Sequence, residues 1–427
     1  MKNKLITVLL LLPAAGGTYA QTQPLLTLDS CYRMAVRNNP VTQQEQLYTN
    51  AFTLQDAGLS NAYKPQVSLN GQVGWQSDVT SLPISIPNVS IPSLDKDSYR
   101  ATLDVNQLIW DGGLTRQQKA VEKAGLLANL KAVEADNYRI RETVNQLYFN
   151  ILLINENENL LKLGIAEIQS RLKRIRSAVS NGVMLQSTAD VIDAEILRTG
   201  QALEELKHNR LSAIYRLEQL TGAQISETTQ LQMPVFDTLP ALNLQARPEY
   251  QQLILLQQKL SSQQNLILLR NRPKFSAFGS LGYGKPGLNM LSNQFEPFAQ
   301  LGARFTWTLW NWHQPQTDAR LIGIQKEIID TQKAAFERNQ RMILNSLYEE
   351  IRKTENLIAT DNDLLKLRES IARTAGVQLE QGTITASEYL TEQNAHTQAR
   401  INLSIHHLQL QYAKLNYITA SGLLTNF

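Results

Sequence analysis

One cysteine, Cys31, stands in 427 residues. No disulfide can form within the chain, so stability has to come from packing or assembly, and Cys31 itself reads as a small apolar residue on a helix face. Long apolar runs are missing too. After the first twenty residues no window approaches the ~18 uninterrupted apolar residues of a membrane-spanning helix. Charge is sparse and balanced, with 41 basic and 38 acidic side chains and 19% charged residues. No dense basic block marks a nucleic-acid partner. Tryptophan occurs only five times. Proline is absent from Thr115 to Asn181, where only Gly125 and Gly164 interrupt helix-compatible residues.

That proline-free stretch predicts one helix over 115–181. Val144, Leu147, Ile151, Ile154, Leu161, Ile165, Ile168, Leu172, Ile175 and Val179 recur at steps of three, four or seven, the spacing of a coiled-coil seam. At 1.5 Å per residue the helix would extend roughly 100 Å and needs long partners. At the N-terminus, Lys2 and Lys4 precede an apolar core from Leu5 to Leu12 and small residues up to Ala20. Residues 1–20 therefore read as a secretory signal peptide, with Gln21 as the first mature residue and no cysteine after the cut for lipid attachment.

The chain is a tandem repeat. Trp110, Asn145, Leu147, Tyr148, Ile151, Gly182, Ser187 and Gly222 fall on Trp310, Asn345, Leu347, Tyr348, Ile351, Gly382, Ser387 and Gly422. The expected organisation is a first repeat over 21–222, a linker over 223–246 and a second repeat over 247–427. Each repeat carries an opening helix (Leu28 to Tyr63, then about Arg247 to Arg272) and a β-hairpin (65–110 and 273–310). A long helix (115–181 and 315–381), a glycine turn and a return helix (187–220 and 387–420) complete it. In the first repeat Thr27 or Asp29 suits the N-cap position.

The hairpin segments alternate with period two. Val67, Leu69, Val73 and Trp75 share one face, as do Tyr99, Ala101, Leu103, Val105 and Ile109. Phe275, Ala277, Leu281 and Tyr283 repeat the pattern, followed by Ala299, Leu301, Ala303, Phe305, Trp307 and Leu309. Their length suits tilted transmembrane strands of ~9 to 11 residues. All five tryptophans, Trp75, Trp110, Trp307, Trp310 and Trp312, lie in or beside these segments, as an interfacial girdle requires. Proline-rich Leu82 to Ser93 suits an outer loop. Four strands cannot close a barrel, and open edges in lipid cost several kcal/mol per unpaired backbone group. Copies must pool strands, eight from a dimer or twelve from a trimer.

Leu26-Thr27-Leu28, Asn38-Asn39-Pro40, Tyr63-Lys64-Pro65, Trp110-Asp111-Gly112-Gly113, Arg247-Pro248 and the Asn181-Gly182 and Gln381-Gly382 turns, in this order within a two-fold repeat, resemble the TolC-like outer-membrane efflux channels. The resemblance implies a mainly α fold with a small β part. A homotrimer would form a 12-stranded transmembrane barrel in the outer membrane of a Gram-negative bacterium, continuous with a periplasmic α-helical barrel. It further implies docking of Asn181, Gly182, Gln381 and Gly382 onto a periplasmic adaptor attached to an inner-membrane transporter. Glu388, shortly after the tip glycine, takes the place of an aperture acid, and Asp190 is the nearest acid in the first repeat. For both, a solvated helix carboxylate is the alternative. An exit duct for protein secretion and a non-pore coiled-coil protein are the rival functions. Gly279 to Gly287 lacks the spacing of a phosphate loop. His396, His406 and His407 do not share a helix face. The sequence thus predicts no enzyme, cofactor or metal site.

Overall fold

The computed structural model describes residues 25–80 and 95–422. The signal segment and the Leu82 to Ser93 loop lie outside them. In chain order the first repeat reads β1 (Leu25–Leu26), α1 (Leu28–Asn38), α2 (Gln44–Ser60), β2 (Gln66–Trp75), β3 (Asp97–Trp110), α3 (Leu114–Ser180) and α4 (Gln186–Thr221). β4 (Gln230–Leu231) falls between the repeats. The second reads α5 (Pro248–Leu268), β5 (Lys274–Lys285), β6 (Glu296–Thr306), α6 (Gln314–Glu380) and α7 (Ala386–Ser421). The two long helices have 67 residues each and the two return helices 36 each. The fold is mainly helical with two hairpins, and the sequence repeat is a repeat of backbone.

The first opening helix differs from expectation. Sequence reading predicts one helix from Leu28 to Tyr63, but the chain breaks at Asn39-Pro40, because Pro40 has no N–H to donate and pushes the residue before it out of the helical region. Asn39 is extended at φ −68°, ψ 120°. Its side chain accepts from Val41 N at 3.2 Å and donates to Asn137 at 2.7 Å. At the start of α1, Thr27 Oγ1 accepts from Ser30 N at 3.2 Å, the ordinary N-cap contact.

The chain divides into two compact units, to both of which α3 and α6 contribute. The first comprises 25–34, 146–235 and 363–408. Its core is the expected seam, with Ile168, Leu172 and Ile175 of α3 packed against Ala189 and Ile192 of α4, Ala375 and Leu379 of α6, and Tyr389 and Leu390 of α7. Further along α3 the seam changes: Leu161 is only half-buried, while Leu160 and Glu158 are buried. Glu158 is paired with Arg210 at 3.1 Å and Lys162 at 3.2 Å, so the packing there is ionic and opens a polar cleft of about 620 Å³. Beside it β1 and β4 pair in parallel. The hydroxyl of buried Tyr148 lies 2.7 Å from both the Leu26 and Gln232 carbonyls, and one of them takes its proton. Cys31 is fully buried nearby, and burial pushes its thiol up to about 12.

The second unit comprises 35–145, 236–362 and 409–422 and contains the sheet, ordered β2-β3-β5-β6 with every neighbour antiparallel. Strand β3 passes into α3 through a turn built on Asp111. That carboxylate accepts from Tyr63 Oη (2.8 Å), Gly113 N (2.9 Å), Thr115 N (2.7 Å) and Thr115 Oγ1 (2.6 Å). Burial favours the neutral acid, but the donors from Thr115, Tyr63 and Gly113 outweigh it and hold the carboxyl below its ordinary range. A depressed folded-state pKa gives a contribution that is complete above the unfolded value of ~3.9 and is lost as pH falls through the folded value. Asp111→Asn is therefore expected to flatten the fall in melting temperature between about pH 5 and about pH 3. An unchanged acid slope in the variant would remove Asp111 as its source.

Candidate functional site: a two-faced sheet and two helix tips

Alternation decides what the sheet presents. In register, Leu69, Leu103, Leu281 and Ala299 form one row, and Val67, Val105, Gly279 and Leu301 form the next. These side chains are exposed, Leu301 at 87% and Leu69 at 79%. The opposite face carries Asn70, Thr102, Gly282 and Phe298 in one row and Ser68, Asp104, Ser280 and Gln300 in the next. A soluble sheet hides its apolar face, whereas this one leaves it open.

Aromatic rings bound the apolar face at both ends. Near the loops, Phe295 lies 5.9 Å from Tyr99 and 5.7 Å from Tyr283, with Trp75 closing β2. At the helix end, Phe275 lies 5.9 Å from Trp110 and 4.8 Å from Phe305. From Phe275 to Tyr283 is eight residue steps, about 26 Å before tilt at ~3.3 Å per residue, against an apolar band ~25 Å tall in membrane barrels. The outer strands β2 and β6 each have one unpaired edge.

Trp75 and Trp110 end their strands, but Trp307, Trp310 and Trp312 lie beyond β6, which stops at Thr306 rather than 310. They form the connection to α6. In the first repeat that connection uses Gly112 and Gly113 at φ 70° and 87°, and a Cβ at Gly112 would collide with Arg272. In the second repeat the same left-handed positions are held by Trp312 (φ 56°) and His313 (φ 57°), at roughly 1–2 kcal/mol per residue for a side chain there. Trp310 packs edge-on against both, 5.8 Å from Trp312 and 5.0 Å from His313, yet Trp312 remains 83% exposed.

At the far ends of the long helices the two turns match. Gly182 (φ 71°) and Gly382 (φ 72°) close them. Val183 N donates to Ala178 O at 2.9 Å and Thr383 N to Gln378 O at 3.0 Å, the six-to-one bond of a glycine-terminated helix. The return helices then start differently. Leu185 before α4 offers no side-chain cap. Before α7, Thr385 Oγ1 accepts from Glu388 N at 3.2 Å while Glu388 accepts from Thr385 N at 2.8 Å and from Thr385 Oγ1 at 3.0 Å. This is a capping box, a role for Glu388 that sequence reading missed although Thr385-Ala-Ser-Glu388 spells it. The Thr385 donors hold the Glu388 carboxyl below its usual range. Glu388 also lines a groove of about 480 Å³ with Ser370, Thr374, Gln378 and Ile384. Asp190 accepts from Gln186 at 2.8 Å on its own helix. Asn181, Gly182, Gln381 and Gly382 are all exposed. Across the hairpins, Arg171 pairs with Glu380 at 2.9 Å and stacks 5.0 Å over Tyr389.

Among the described residues no group of three or more His, Cys, Asp or Glu side chains could hold a metal ion, and no helix is long and apolar enough to cross a membrane. Residues 31–223 match the sequence profile described as outer membrane efflux protein. No curated protein matches the chain in sequence. Among solved structures the fold is similar to that of CusC, reported in a study of transmembrane channel formation (TM-score 0.70, 15% identity, 92% of each chain). It is also similar to the outer membrane protein VceC of Vibrio cholerae (0.66, 13%, 92% of this chain and 96% of that one). The outer membrane channel MtrE of Neisseria gonorrhoeae is a third match (0.65, 14%, 93% and 89%).

Proposed function

From a chain that resembles the TolC-like outer-membrane efflux channels, in sequence over residues 31–223 and in fold over 92% of its length, we propose that three copies form the exit duct of a tripartite efflux system in the Gram-negative outer membrane. The observation that carries this reading is the sheet, with four strands, one exposed apolar face between two aromatic belts, and two open edges. In lipid those edges would cost tens of kcal/mol at several kcal/mol per group. β6 of one copy therefore pairs with β2 of the next, and twelve strands close a barrel whose apolar face meets lipid and whose polar face meets water. The belts, with Trp307, Trp310 and Trp312, sit at the interfaces.

The Asn181-Gly182 and Gln381-Gly382 turns face the periplasm and dock an adaptor that links the duct to an inner-membrane transporter. Glu388 and Asp190 contribute charge near that end, Glu388 with its carboxylate fixed by Thr385. The duct is passive and has no catalytic role. Reconstitution of the full-length protein in planar bilayers is expected to give discrete conductance steps, and cross-linking in detergent a trimer. A monomer without conductance would overturn the duct and favour a non-pore coiled-coil protein.

A further inference from the structure

The polar face of the sheet holds one device twice. Phe298 on β6 lies opposite Gly282 on β5, and Phe278 on β5 lies opposite Gly302 on β6. A Cβ on either glycine would collide with the facing ring, so the tip of each ring covers its glycine. Over each ring sits a guanidinium, Arg100 at 5.7 Å from the Phe298 centroid and Arg304 at 5.3 Å from that of Phe278. Among the described residues neither guanidinium has a carboxylate within ion-pair distance. Asp104, between them in register, is occupied by Ser280, Asn70 and Thr102. Glu296 accepts from Ser292 at 2.7 Å. Strand β2 contains no acidic residue, so a neighbouring copy paired on β6 brings none from that strand.

Arg100 pairs in register with Gly284 and Arg304 with Ser276. The two arginines are thus eight residues apart along β5, while the rings beneath them, at Gly282 and Phe278, are four apart, about 13 Å at ~3.3 Å per residue. Lys274 shares the polar face near Arg304. A guanidinium is planar, weakly hydrated and well suited to stacking, and stacking leaves its N–H edges free for an anion. Charge-assisted hydrogen bonds from Arg to an oxyanion are the stronger class.

We propose that Arg100 on Phe298 and Arg304 on Phe278 are two binding stations for planar aromatic anions, in which the guanidinium edge takes the carboxylate or sulfonate and the outer face of the exposed guanidinium, held flat by the ring beneath it, takes the aromatic plane. The inference rests on the reading that this face lines the duct. Exposure keeps each station weak, as passage requires, since a site that binds too well does not release.

The probe is naphthalene-2-sulfonate, with methanesulfonate as the anion without a ring. In planar bilayers holding the full-length protein, the naphthalene compound is expected to block current and methanesulfonate to pass. Arg100→Gln with Arg304→Gln should raise the half-blocking concentration about tenfold, the equivalent of one charge-assisted contact, and move the reversal potential in a salt gradient toward cation preference. Phe278→Leu with Phe298→Leu should weaken the naphthalenesulfonate block and leave methanesulfonate current unchanged. Fluorescence titration of the detergent-solubilised protein with the same compound reads binding whether or not current flows. Equal block in wild type and the arginine variant, or no loss of fluorescence-detected binding in that variant, overturns the stations. Retained binding without any conductance overturns the duct instead.

Discussion

Arg247→Ala is expected to lower stability by about 3 to 5 kcal/mol, the cost of leaving a buried charge without its partner. Arg247 is 3% exposed. Its Nη2 meets Glu249 Oε1 at 2.5 Å and its Nε meets Oε2 at 3.1 Å. Nη1 donates to the Thr419 and Ala420 carbonyls at 3.4 and 3.5 Å, where α7 runs out of internal donors. The guanidinium lies 4.8 Å over Tyr138, whose hydroxyl donates to the same Thr419 carbonyl at 2.6 Å. One side chain thus ties α3, α5 and the end of α7 together. Arg247→Met with Glu249→Leu removes both charges and should cost less than Arg247→Ala alone. Chemical denaturation of the two variants in detergent decides. A larger loss in the double variant would mean that packing, and not the uncompensated charge, dominates.

The second large effect separates the two faces of one strand. Leu103 stands between Leu69 and Leu281 in the apolar row. If that row meets lipid near the midplane, Leu103→Arg costs about 2 to 4 kcal/mol. Thr102, its neighbour, points to the other face, where its hydroxyl donates to Asp104 at 2.9 Å. Thr102→Arg gives up one hydrogen bond, about 1 kcal/mol, and sets its charge on the polar face beside the Asp104 carboxylate. Unfolding of both variants in lipid should show this asymmetry, and equal losses would refute the assignment of faces.

Much of this architecture is legible in the residues because it follows from periods. Alternation in Val67 to Trp75 and Phe275 to Tyr283 sets the faces of the sheet, and the three-and-four spacing of Ile168, Leu172 and Ile175 sets the helix seam. Both patterns are local, so they survive without knowledge of neighbours. What escaped depends on contacts distant in sequence or on backbone that residue type argues against. The pairing of β1 with β4 joins two short segments about two hundred residues apart with no pattern of their own. Glu158 in the seam becomes intelligible only with Arg210 beside it. Trp312 and His313 occupy positions that favour glycine, and only the alignment with Gly112 and Gly113 hints at it. Pro40 and the Thr385–Glu388 box are legible from residue type alone, the first from the missing N–H of proline and the second from its Thr-x-x-Glu spacing.

The strand order has a further implication for how assemblies of this chain are counted. Because β2, β3, β5 and β6 alternate in direction through three antiparallel pairings, the two free edges run in opposite senses, and an incoming copy always meets a correctly oriented partner. Two, three or four copies would close with the same hydrogen-bond pattern. Stoichiometry is therefore not encoded in strand pairing at all. It must be set by the angle at which copies meet, which makes the helical packing, rather than the sheet, the place where substitutions would change the number of subunits.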